Sequence, residues 1–550
     1  MAGFAAGLFL ACSLNATAAQ RPNVLVVILD DFGVGQFAPV SREVELGQLD
    51  PAFLAYTLGL GDEAYDPKVA LEAARRAMPF MDSLVGQGVM FSRAFAANSL
   101  CSPSRASLLT GTNSVRWGGY RNIDINVTGL PQGRSLVGRL QAQGYRTAIV
   151  GKWHLGERDE ALRQRILAAG GTEKDAEKAG YLGSCAPQSH PLNHGFDYAF
   201  FYNRWQSPYY ETDLIWENHT HAGRQTEYNT DLFTRKAVSF IEQALERQQP
   251  FFVELALHAV HVPQDVPAPA SYAERFQTGV KPVDLFYSHV YGVDQAVRRL
   301  VDLLKSRGAW ENTILVFTSD NGATGKFSGG NLSLVPGNGP FRGHKGQVLQ
   351  GGIRVPLVMV WPERIRSALR VEQTVSLMDV MPTVLEAAGI EVPAGLDGKS
   401  LLPVLKDPQR ATHDRLFFTS IHAPSWGFTG KHVIGGDPEA RRDLFPGAWA
   451  VVEGDWLLRF VGTLAPGLMD NCPTGQKAHF ELFNIRHDPL EQYDLHATQP
   501  EVAARLTAAF REYAATLPPP PVWERRHWDE LMSSVGLPTS GAAADHRDQD

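Results

Sequence analysis

The five residues at 101–105, Cys-Ser-Pro-Ser-Arg, place a reactive side chain one helical turn from a fixed cation. Pro103 suits the first position of a helix and Ser102 the cap before it, and Gly111 follows where the helix should end. Cys101 is therefore predicted at a helix N-terminus, where free N–H groups and the helix dipole favour negative charge. Arg105 adds a planar fork of hydrogen-bond donors. The arrangement suits a reactive group that acts beside a bound anion.

Two interpretations of Cys101 follow from these residues alone. The first is a buried structural cysteine near a surface arginine, which is the usual situation for a Cys-x3-Arg match. The second is a thiolate nucleophile, because a helix N-terminus lowers the pKa of a cysteine.

Oxygen-rich pairs follow two apolar runs. Asp30 and Asp31 come after the aliphatic run 23–29, and Asp320 and Asn321 come after the run 313–319. Adjacent carboxylates at the end of a buried strand are costly unless a cation meets them, although an acidic turn is the simpler interpretation of the first pair alone. Both carboxylates can face one ion if the chain bends there, as the glycine at 33 would permit. Since no Cys or His group has zinc spacing, the four oxygen donors favour Ca²⁺.

A lysine and a histidine follow the predicted strand 144–150. Residues 151–156 read Gly-Lys-Trp-His-Leu-Gly, and strand alternation places Lys152 and His154 on the same face. Such a pair suits oxyanion binding and proton transfer. A surface lysine beside a packed histidine is the alternative.

The spacing of apolar runs predicts an α/β fold with a large, mostly parallel central sheet flanked by helices. The runs 23–29, 144–150, 251–257 and 313–319 are short and continuous, as expected for strands buried on both faces. The carboxyl ends of parallel strands gather at one edge, where ligands bind. The strand ends near residues 30, 152, 261 and 320 should therefore lie together.

The chain changes character after the predicted catalytic domain, which covers 20–405 and contains an insertion at 38–76. Four short strands, at 416–420, 448–452, 456–460 and 479–484, precede a helix at 501–516. This pattern predicts a small C-terminal α+β domain at 406–517, with an antiparallel sheet and one helix. A proline-rich start predicts an extended or disordered tail at 518–550.

Composition narrows the classes of partner. The chain has 550 residues, 44% of them hydrophobic and 20% charged, and a net charge of −8. Without a long basic run, a nucleic-acid or anionic-membrane partner is not expected. An anionic substrate stays possible, because a local basic cluster can outweigh the global charge. No stretch after the first residues is long and apolar enough to span a membrane.

Residues 1–19 are predicted to be an export signal, which places the protein in the periplasm or outside the cell. The apolar centre at 8–10 and the small residues at 16–19 fit, although no Lys or Arg precedes Arg21. Removal of this segment leaves Cys101, Cys185 and Cys472. The last two either form one disulfide in an oxidising compartment or remain separate thiols.

Two motifs resemble the signatures of one family. Residues 101–111, Cys-Ser-Pro-Ser-Arg-x-x-Leu-Leu-Thr-Gly, resemble the first signature of the type I sulfatases of the alkaline phosphatase superfamily, and residues 144–155 resemble the second. The resemblance extends over 22–515. It implies that a formylglycine-generating enzyme oxidises Cys101 to formylglycine, and that the hydrated aldehyde is the nucleophile.

The resemblance also assigns roles to the other residues. It implies a Ca²⁺ site with the following ligands: Asp30, Asp31, Asp320, Asn321 and the modified Cys101. His261, just before x-Pro, matches a histidine that contacts the sulfate, and Lys345 matches a lysine that holds it. With Lys152 they would neutralise the oxyanion and the leaving oxygen, one of the three as general acid. Arg105 and His154 would position the hydrate and assist its collapse.

The expected reaction is the hydrolysis of a sulfate ester, on a sulfated carbohydrate or an aryl sulfate. A phosphonate or phosphate diester hydrolase of the same superfamily is the nearest alternative, and a catalytically inactive protein that binds sulfated glycans is the alternative of another class. Specificity should lie in the loops 38–76, 196–228 and 323–340. Among the aromatic residues of the second loop, Trp205, Tyr209 and Tyr210 are the candidates for the rim of the site.

Overall fold

A computed structural model describes residues 21–51, 54, 65–324, 334–419, 449–461, 479–522, 525–534 and 536–537. The predicted signal at 1–19 and Cys472 lie outside these residues. The signal therefore stays a prediction, and both alternatives for Cys185 and Cys472, one disulfide or two separate thiols, stay open. Across the part of the chain that is described, every helix is too short or too polar to cross a bilayer.

Strands from all parts of the first 371 residues form one ten-stranded sheet. The strands up to residue 376 are β1 (Asn23–Leu29), β2 (Val89–Phe91), β3 (Ala94–Phe95), β4 (Arg146–Lys152), β5 (Tyr198–Tyr202), β6 (Trp216–Glu217), β7 (Thr220–His221), β8 (Phe251–Ala256), β9 (Thr313–Ser319), β10 (Leu357–Val360), β11 (Leu369–Val371) and β12 (Val375–Ser376). The order in the large sheet is β11-β2-β10-β9-β1-β8-β4-β5-β6-β7. Its centre, from β9 to β5, is parallel. The predicted fold class is therefore confirmed.

The segment 89–95, a mostly apolar run that could form one strand, is divided between two sheets. Its first part, β2, pairs with β10 and β11 in the large sheet. Its second part, β3, pairs with β12 in a separate two-stranded sheet. The chain turns between them at residues 92–93 and heads towards Cys101.

The continuous apolar character of β1 has a direct structural reason. Val24, Val26 and Ile28 pack into one hydrophobic core, and the alternate residues Leu25 and Val27 pack into another on the opposite face. Helices cover both faces, so neither set of side chains can be polar. This double burial leaves only the strand ends free to carry polar groups.

The two faces of the sheet are covered by different helices. The helices Asn229–Glu246 and Lys281–Ser306 contribute to the core on the Leu25 face, whereas Cys101–Thr110 and Val380–Ala387 contribute to the core on the Val24 face. The remaining helices of the described residues are Ala38–Ser41, Pro67–Arg76, Pro79–Val85, Asn122–Thr128, Val137–Gln141, Glu160–Ala168, Glu173–Lys178, Ala270–Ala273, Gln350–Ile353, Leu402–Lys406, Pro500–Ala515 and Arg525–Ser534.

The C-terminal part contains a four-stranded antiparallel sheet, as expected. Its strands, in order, are β13 (Leu416–Thr419), β14 (Trp449–Glu453), β15 (Trp456–Val461) and β16 (His479–Asn484). The helix Pro500–Ala515 packs on this sheet through Leu506 and Phe510. The exact domain boundaries at 405 and 517 stay predictions.

The tail differs from the extended or disordered segment that the sequence suggested. Residues Arg525–Ser534 form a helix, and its Trp528 and Met532, four residues apart, are buried in the same core as Phe510. Trp528 packs edge-on against Tyr120, with ring centroids 5.5 Å apart. The apolar pair therefore attaches this part of the tail to the body of the protein.

Candidate active site

The helix that carries the nucleophile candidate begins earlier than predicted. It spans Cys101–Thr110, Leu100 is its N-cap, and Gly111 ends it with φ +63°. The N–H of Leu100 donates to Asn98 Oδ1 and the N–H of Ser102 donates to Asn122 Oδ1. Because these two asparagines satisfy the first N–H groups, Ser102 does not act as the cap. Cys101 is thus the first residue of the helix and lies at its N-terminus, where it was predicted.

The two oxygen-rich strand ends meet as predicted. The neighbouring strands β1 and β9 are parallel, and the Asp31 N–H donates to Asp320 Oδ1 over 3.2 Å. Asn321 Nδ2 donates to Asp31 Oδ1 over 2.8 Å. The bend that turns the carboxylates to one site lies at Asp31 itself, with φ +59°, rather than at the following glycine.

Three fixed cations contact the three carboxylates. Lys152 Nζ lies 2.6 Å from Asp30 Oδ2, and Lys345 Nζ lies 2.7 Å from Asp31 Oδ1. Arg105 Nε donates to Asp320 Oδ2 over 2.9 Å. All six side chains are buried. Burying so many charges is tolerable only because each carboxylate has a close cationic partner.

The nucleophile candidate and the sulfate-binding candidate lie at the same point. Cys101 Sγ donates to Asp30 Oδ1 over 3.6 Å, and His261 Nε2 lies 3.5 Å from Asp31 Oδ2. His261 Nε2 is also 3.5 Å from Lys345 Nζ. One possible ligand atom from each of Asp30, Asp31, Cys101 and His261 lies within 4.8 Å of the others.

The donor set fits an oxygen-binding cation. Within the described residues, the buried atoms Asp31 Oδ2 and Asn321 Oδ1 lack hydrogen-bond partners. Buried polar atoms are normally paired, so two unpaired oxygens beside Asp30 are best explained by a bound ion. Carboxylate and amide oxygens are the ligands that Ca²⁺ prefers. Asp320 is more fully engaged, because Arg105 and the Asp31 N–H occupy its two oxygens.

The thiol of Cys101 is poorly suited to act as a thiolate. Burial raises its pKa to about 12, and the neighbouring Asp320 and Asp30 add to the rise against the opposing charges of Lys152 and Lys345. The pKa depression expected of a helix N-terminus is therefore overcome by burial beside two carboxylates. The interpretation of Cys101 as a thiolate nucleophile is not supported by this environment.

Burial and neighbouring charges also define the protonation of the other site residues. Burial would raise the pKa of Asp30, but Lys152, His261 and Arg105 hold it well below its ordinary value. Burial lowers the pKa of Lys345, yet the charge of Asp31 outweighs this and keeps it above the usual range. Burial lowers the pKa of His261 to about 4, so the imidazole is neutral near pH 7.

His154 is near the cluster, but not by strand alternation. β4 ends at Lys152, and His154 has φ +55° in the turn that follows. Its Nδ1 is buried without a hydrogen-bond partner among the described residues. Burial, followed by the charge of Lys152, lowers its pKa well below the ordinary value. A neutral imidazole with one free nitrogen is therefore available beside Lys152.

Of the three aromatic rim candidates, Trp205 is the best placed. It is 46% exposed, and its ring centroid lies 5.9 Å from that of His261. Tyr209 is buried, and its hydroxyl donates to the His261 carbonyl, so it stabilises the backbone that carries His261. Tyr210 donates to the Pro267 carbonyl. The short-range sequence pattern could not separate these three environments.

Some residues around the site carried no clear sequence signal. Gln264 follows the proline of the predicted strand-end turn, and Asp50 lies within the predicted insertion, yet both line a cavity that reaches Asp31. Arg342, from the glycine-rich stretch before Lys345, lines the same cavity. The sequence signal that could have indicated Gln264 is its position three residues after His261, in the pattern His-x-x-His-x-Pro-Gln.

The chain matches known proteins over most of its length. The sulfatase family model matches residues 22–390. A protein of Escherichia coli K12 described as uncharacterized sulfatase YdeN is 30% identical over 528 residues, which cover 91% of this chain and 86% of that protein. The N-acetylgalactosamine-6-sulfatase of Mus musculus is 31% identical over 424 residues, covering 71% of this chain and 68% of the mouse protein.

A solved structure supports the same fold. The crystal structure of Ps i-CgsB in complex with k-i-k-neocarrahexaose has a TM-score of 0.67 and 21% sequence identity, and the match covers 94% of this chain and 98% of that one. The likeness concerns the fold. The family is shown by the model match across more than half of the chain and by the relatives at 30% identity or more. The chain belongs to the sulfatase family, and it is a sulfuric ester hydrolase.

Proposed function

We propose that the protein releases inorganic sulfate from a sulfated carbohydrate or aryl ester through a formylglycine at position 101 and a bound Ca²⁺. The observation that carries the proposal is the position of Cys101, whose Sγ lies 3.6 Å from Asp30 Oδ1 inside the buried set of paired charges. Oxidation of this side chain by a formylglycine-generating enzyme would supply an oxygen nucleophile, which the protonated thiol does not.

Four residues would hold the cation: Asp30, Asp31, Asp320 and Asn321. When bound, Ca²⁺ would offset the negative charge of the ester and of the nucleophile. Because the three carboxylates already face three fixed cations, a divalent ion leaves the site with a positive excess. That excess favours a sulfate ester, which is an anion.

The remaining residues of the site orient the ester and supply protons. Lys152 and Lys345 lie on either side of the carboxylate pair and can donate to sulfate oxygens. His261 Nδ1 donates to the Val262 carbonyl, which leaves Nε2 facing Lys345. Nε2 can therefore accept a hydrogen bond from Lys345. One of Lys152, Lys345 and His261 would donate a proton to the alcohol oxygen as its bond to sulfur breaks.

Arg105 and His154 would act on the group at position 101. Arg105 lies one helical turn from that residue and is bound to Asp320, so its position is rigid. His154 Nδ1, which has no hydrogen-bond partner among the described residues, can accept a proton. With the predicted export signal at 1–19, these features support a sulfatase that matures and acts in the periplasm or outside the cell.

The proposal is tested with protein co-expressed with a formylglycine-generating enzyme. Mass spectrometry of the peptide that contains residue 101 should show the aldehyde, and the protein should hydrolyse 4-nitrophenyl sulfate faster than an aryl phosphonate ester. Cys101→Ala should lose turnover, whereas Cys185→Ala, another buried cysteine away from the charged cluster, should retain it. Full activity of Cys101→Ala, or a preference for the phosphonate, would contradict the proposal.

A further inference from the structure

A cavity opens beside the charged cluster on the side of Asp31. The enclosed space amounts to about 30 Å³, which is room for one polar substituent and not for a whole ring. Its lining includes Asp31, Gln264, Asp50, Arg342, Phe286 and Leu334. Asp31 is shared with the proposed cation site, so a group in the cavity would lie next to the ester group.

Gln264 presents an unpaired acceptor at this cavity. The side chain is only 4% exposed, and its Nε2 donates to the Val260 carbonyl. This bond determines the orientation of the amide, because the opposite orientation would place two acceptors together. Oε1 is then the other amide atom, and among the described residues it has no hydrogen-bond partner. A buried acceptor of this kind is normally paired, so it indicates a donor on a ligand.

The other walls of the cavity are chemically mixed. Asp50 and Arg342 are both buried, with Asp50 Oδ2 3.8 Å from Arg342 Nε. Phe286 and Leu334 contribute apolar surface. A small cavity with hydrogen-bonding groups in its wall suits a single hydroxyl or amide group that enters it from a ring lying outside.

We propose that this cavity receives a hydroxyl or amide group of the alcohol that leaves, and that Gln264 Oε1 accepts a hydrogen bond from that group. The inference rests on the proposed function, since it assigns the leaving-group side of the same site. The substrates are accordingly sulfate esters of polyhydroxylated rings, meaning sugars. A plain aryl sulfate carries no donor for Gln264.

Trp205 supports the same class of substrate from another side of His261. Its ring is exposed and contacts the His261 ring edge-on. An exposed indole next to the proposed sulfate ligand offers an apolar face to the C–H groups of a sugar. Because it lies on a different segment from the cavity lining, it is an independent observation.

The test compares two variants that each lose an amide-to-carbonyl bond. Gln264→Met removes the acceptor at similar side-chain length. Gln87→Met is the matched control, because Gln87 Nε2 also donates to a backbone carbonyl, that of Ser83, on the exposed surface. The aldehyde-bearing enzymes are assayed on 4-nitrophenyl sulfate and on a panel of monosulfated galactose, glucose and N-acetylgalactosamine.

We expect the wild type to prefer at least one sugar sulfate over 4-nitrophenyl sulfate in kcat/KM. Gln264→Met should reduce that preference about 10-fold, as expected for one lost hydrogen bond to the substrate, whereas Gln87→Met should keep it. Turnover of the aryl sulfate alone, or an unchanged preference in Gln264→Met, would overturn the assignment of the cavity while leaving the proposed function intact. Failure of the wild type on every sulfate would instead contradict the proposed function.

Discussion

The protein buries two clusters of charged side chains, and in both of them cations stabilise buried carboxylates. The clusters differ in the number of cations that the acids share. Around Cys101, the carboxylates of Asp30, Asp31 and Asp320 each have a close cation. Between the C-terminal sheet and the catalytic part, Glu481 binds Arg459, while Glu491 Oε2 is 3.9 Å from the same arginine. Glu491 Oε1 also accepts from the Gln350 N–H across the boundary.

The difference lies in how the acids are balanced. In the C-terminal cluster the two acids share one arginine, and their pKa values move in opposite directions. Burial raises the pKa of Glu491 to about 7, whereas Arg459 overcomes burial and lowers the pKa of Glu481 to about 2. Around Cys101 each carboxylate has its own cation. Asp31 Oδ2 and Asn321 Oδ1 have no hydrogen-bond partner among the described residues, and the same is true of Glu491 Oε2 in the C-terminal cluster. Neither charge pairing nor an unpaired oxygen therefore distinguishes the candidate active site from a structural link; the separate cation for each carboxylate and the adjacent Cys101 do.

The largest expected effect comes from removing the arginine of each cluster. Arg105→Met and Arg459→Met should each lower the free energy of unfolding by about 3–5 kcal/mol, because each leaves a buried carboxylate without its partner. Only Arg105→Met should also lower kcat/KM by about 10²–10³-fold. Denaturant unfolding and assays on a sulfate ester measure the two quantities.

A comparable loss of kcat/KM in folded Arg459→Met would break the contrast between the clusters. It would mean that the link between the two parts of the chain supports catalysis directly. The assay is therefore run below the temperature at which either variant begins to unfold.

The second expected effect is on the pH dependence of stability, which should differ between variants of Glu491 and of Glu481. The pKa of Glu491 is higher in the folded state than its ordinary value of 4.5, so its ionisation opposes folding as pH rises from about 4.5 to 7. Glu491→Gln should therefore stabilise the protein above pH 7, by an amount of order 3 kcal/mol, and change little below pH 4.5. The midpoint of denaturant unfolding at pH 5 and pH 8 measures the difference.

Glu481→Gln is the matched control and should behave in the opposite way. The folded pKa of Glu481 is about 2, so its stabilising effect is complete above pH 4.5 and is lost as pH falls towards 2. The variant should be less stable than the wild type at pH 8. Equal pH profiles for the two variants would show that Arg459 does not discriminate between the acids.

The sequence predicted the sheet and the clustering of the candidate site residues well, because their signals are local. The runs at 23–29 and 313–319 coincide with β1 and β9, since a short, continuous apolar run with polar ends is typical of a strand that is buried on both faces. The acid pairs after them are equally local. The resemblance to the sulfatase signatures then singled out His261 and Lys345, which the structure brings within 3.5 Å of each other.

Features that depend on distant partners were not predictable. Ser102 fits a helix cap by type, but Asn98 and Asn122 satisfy the N–H groups of that helix end. Tyr209 and Trp205 are both aromatic residues of the same loop and were equal candidates for the rim, yet the first is buried and the second is exposed. Gln264 became visible only through the cavity around it, because nothing in its neighbours along the chain marks an unpaired acceptor.

The smallest expected effect is the response to Ca²⁺, which shows directly which of the two clusters binds the cation. After treatment with a chelator, Ca²⁺ at 100 times its Kd should raise the free energy of unfolding by about 2.7 kcal/mol, since it binds only the folded state. Asp31→Asn should abolish this gain, because Asp31 supplies one of the unpaired oxygens, whereas Glu481→Gln should keep it. Thermal unfolding in a Ca²⁺ titration measures the gain. If Glu481→Gln lost the response and Asp31→Asn kept it, the cation would belong to the C-terminal cluster and the distinction between a reactive and a structural charge cluster would fail.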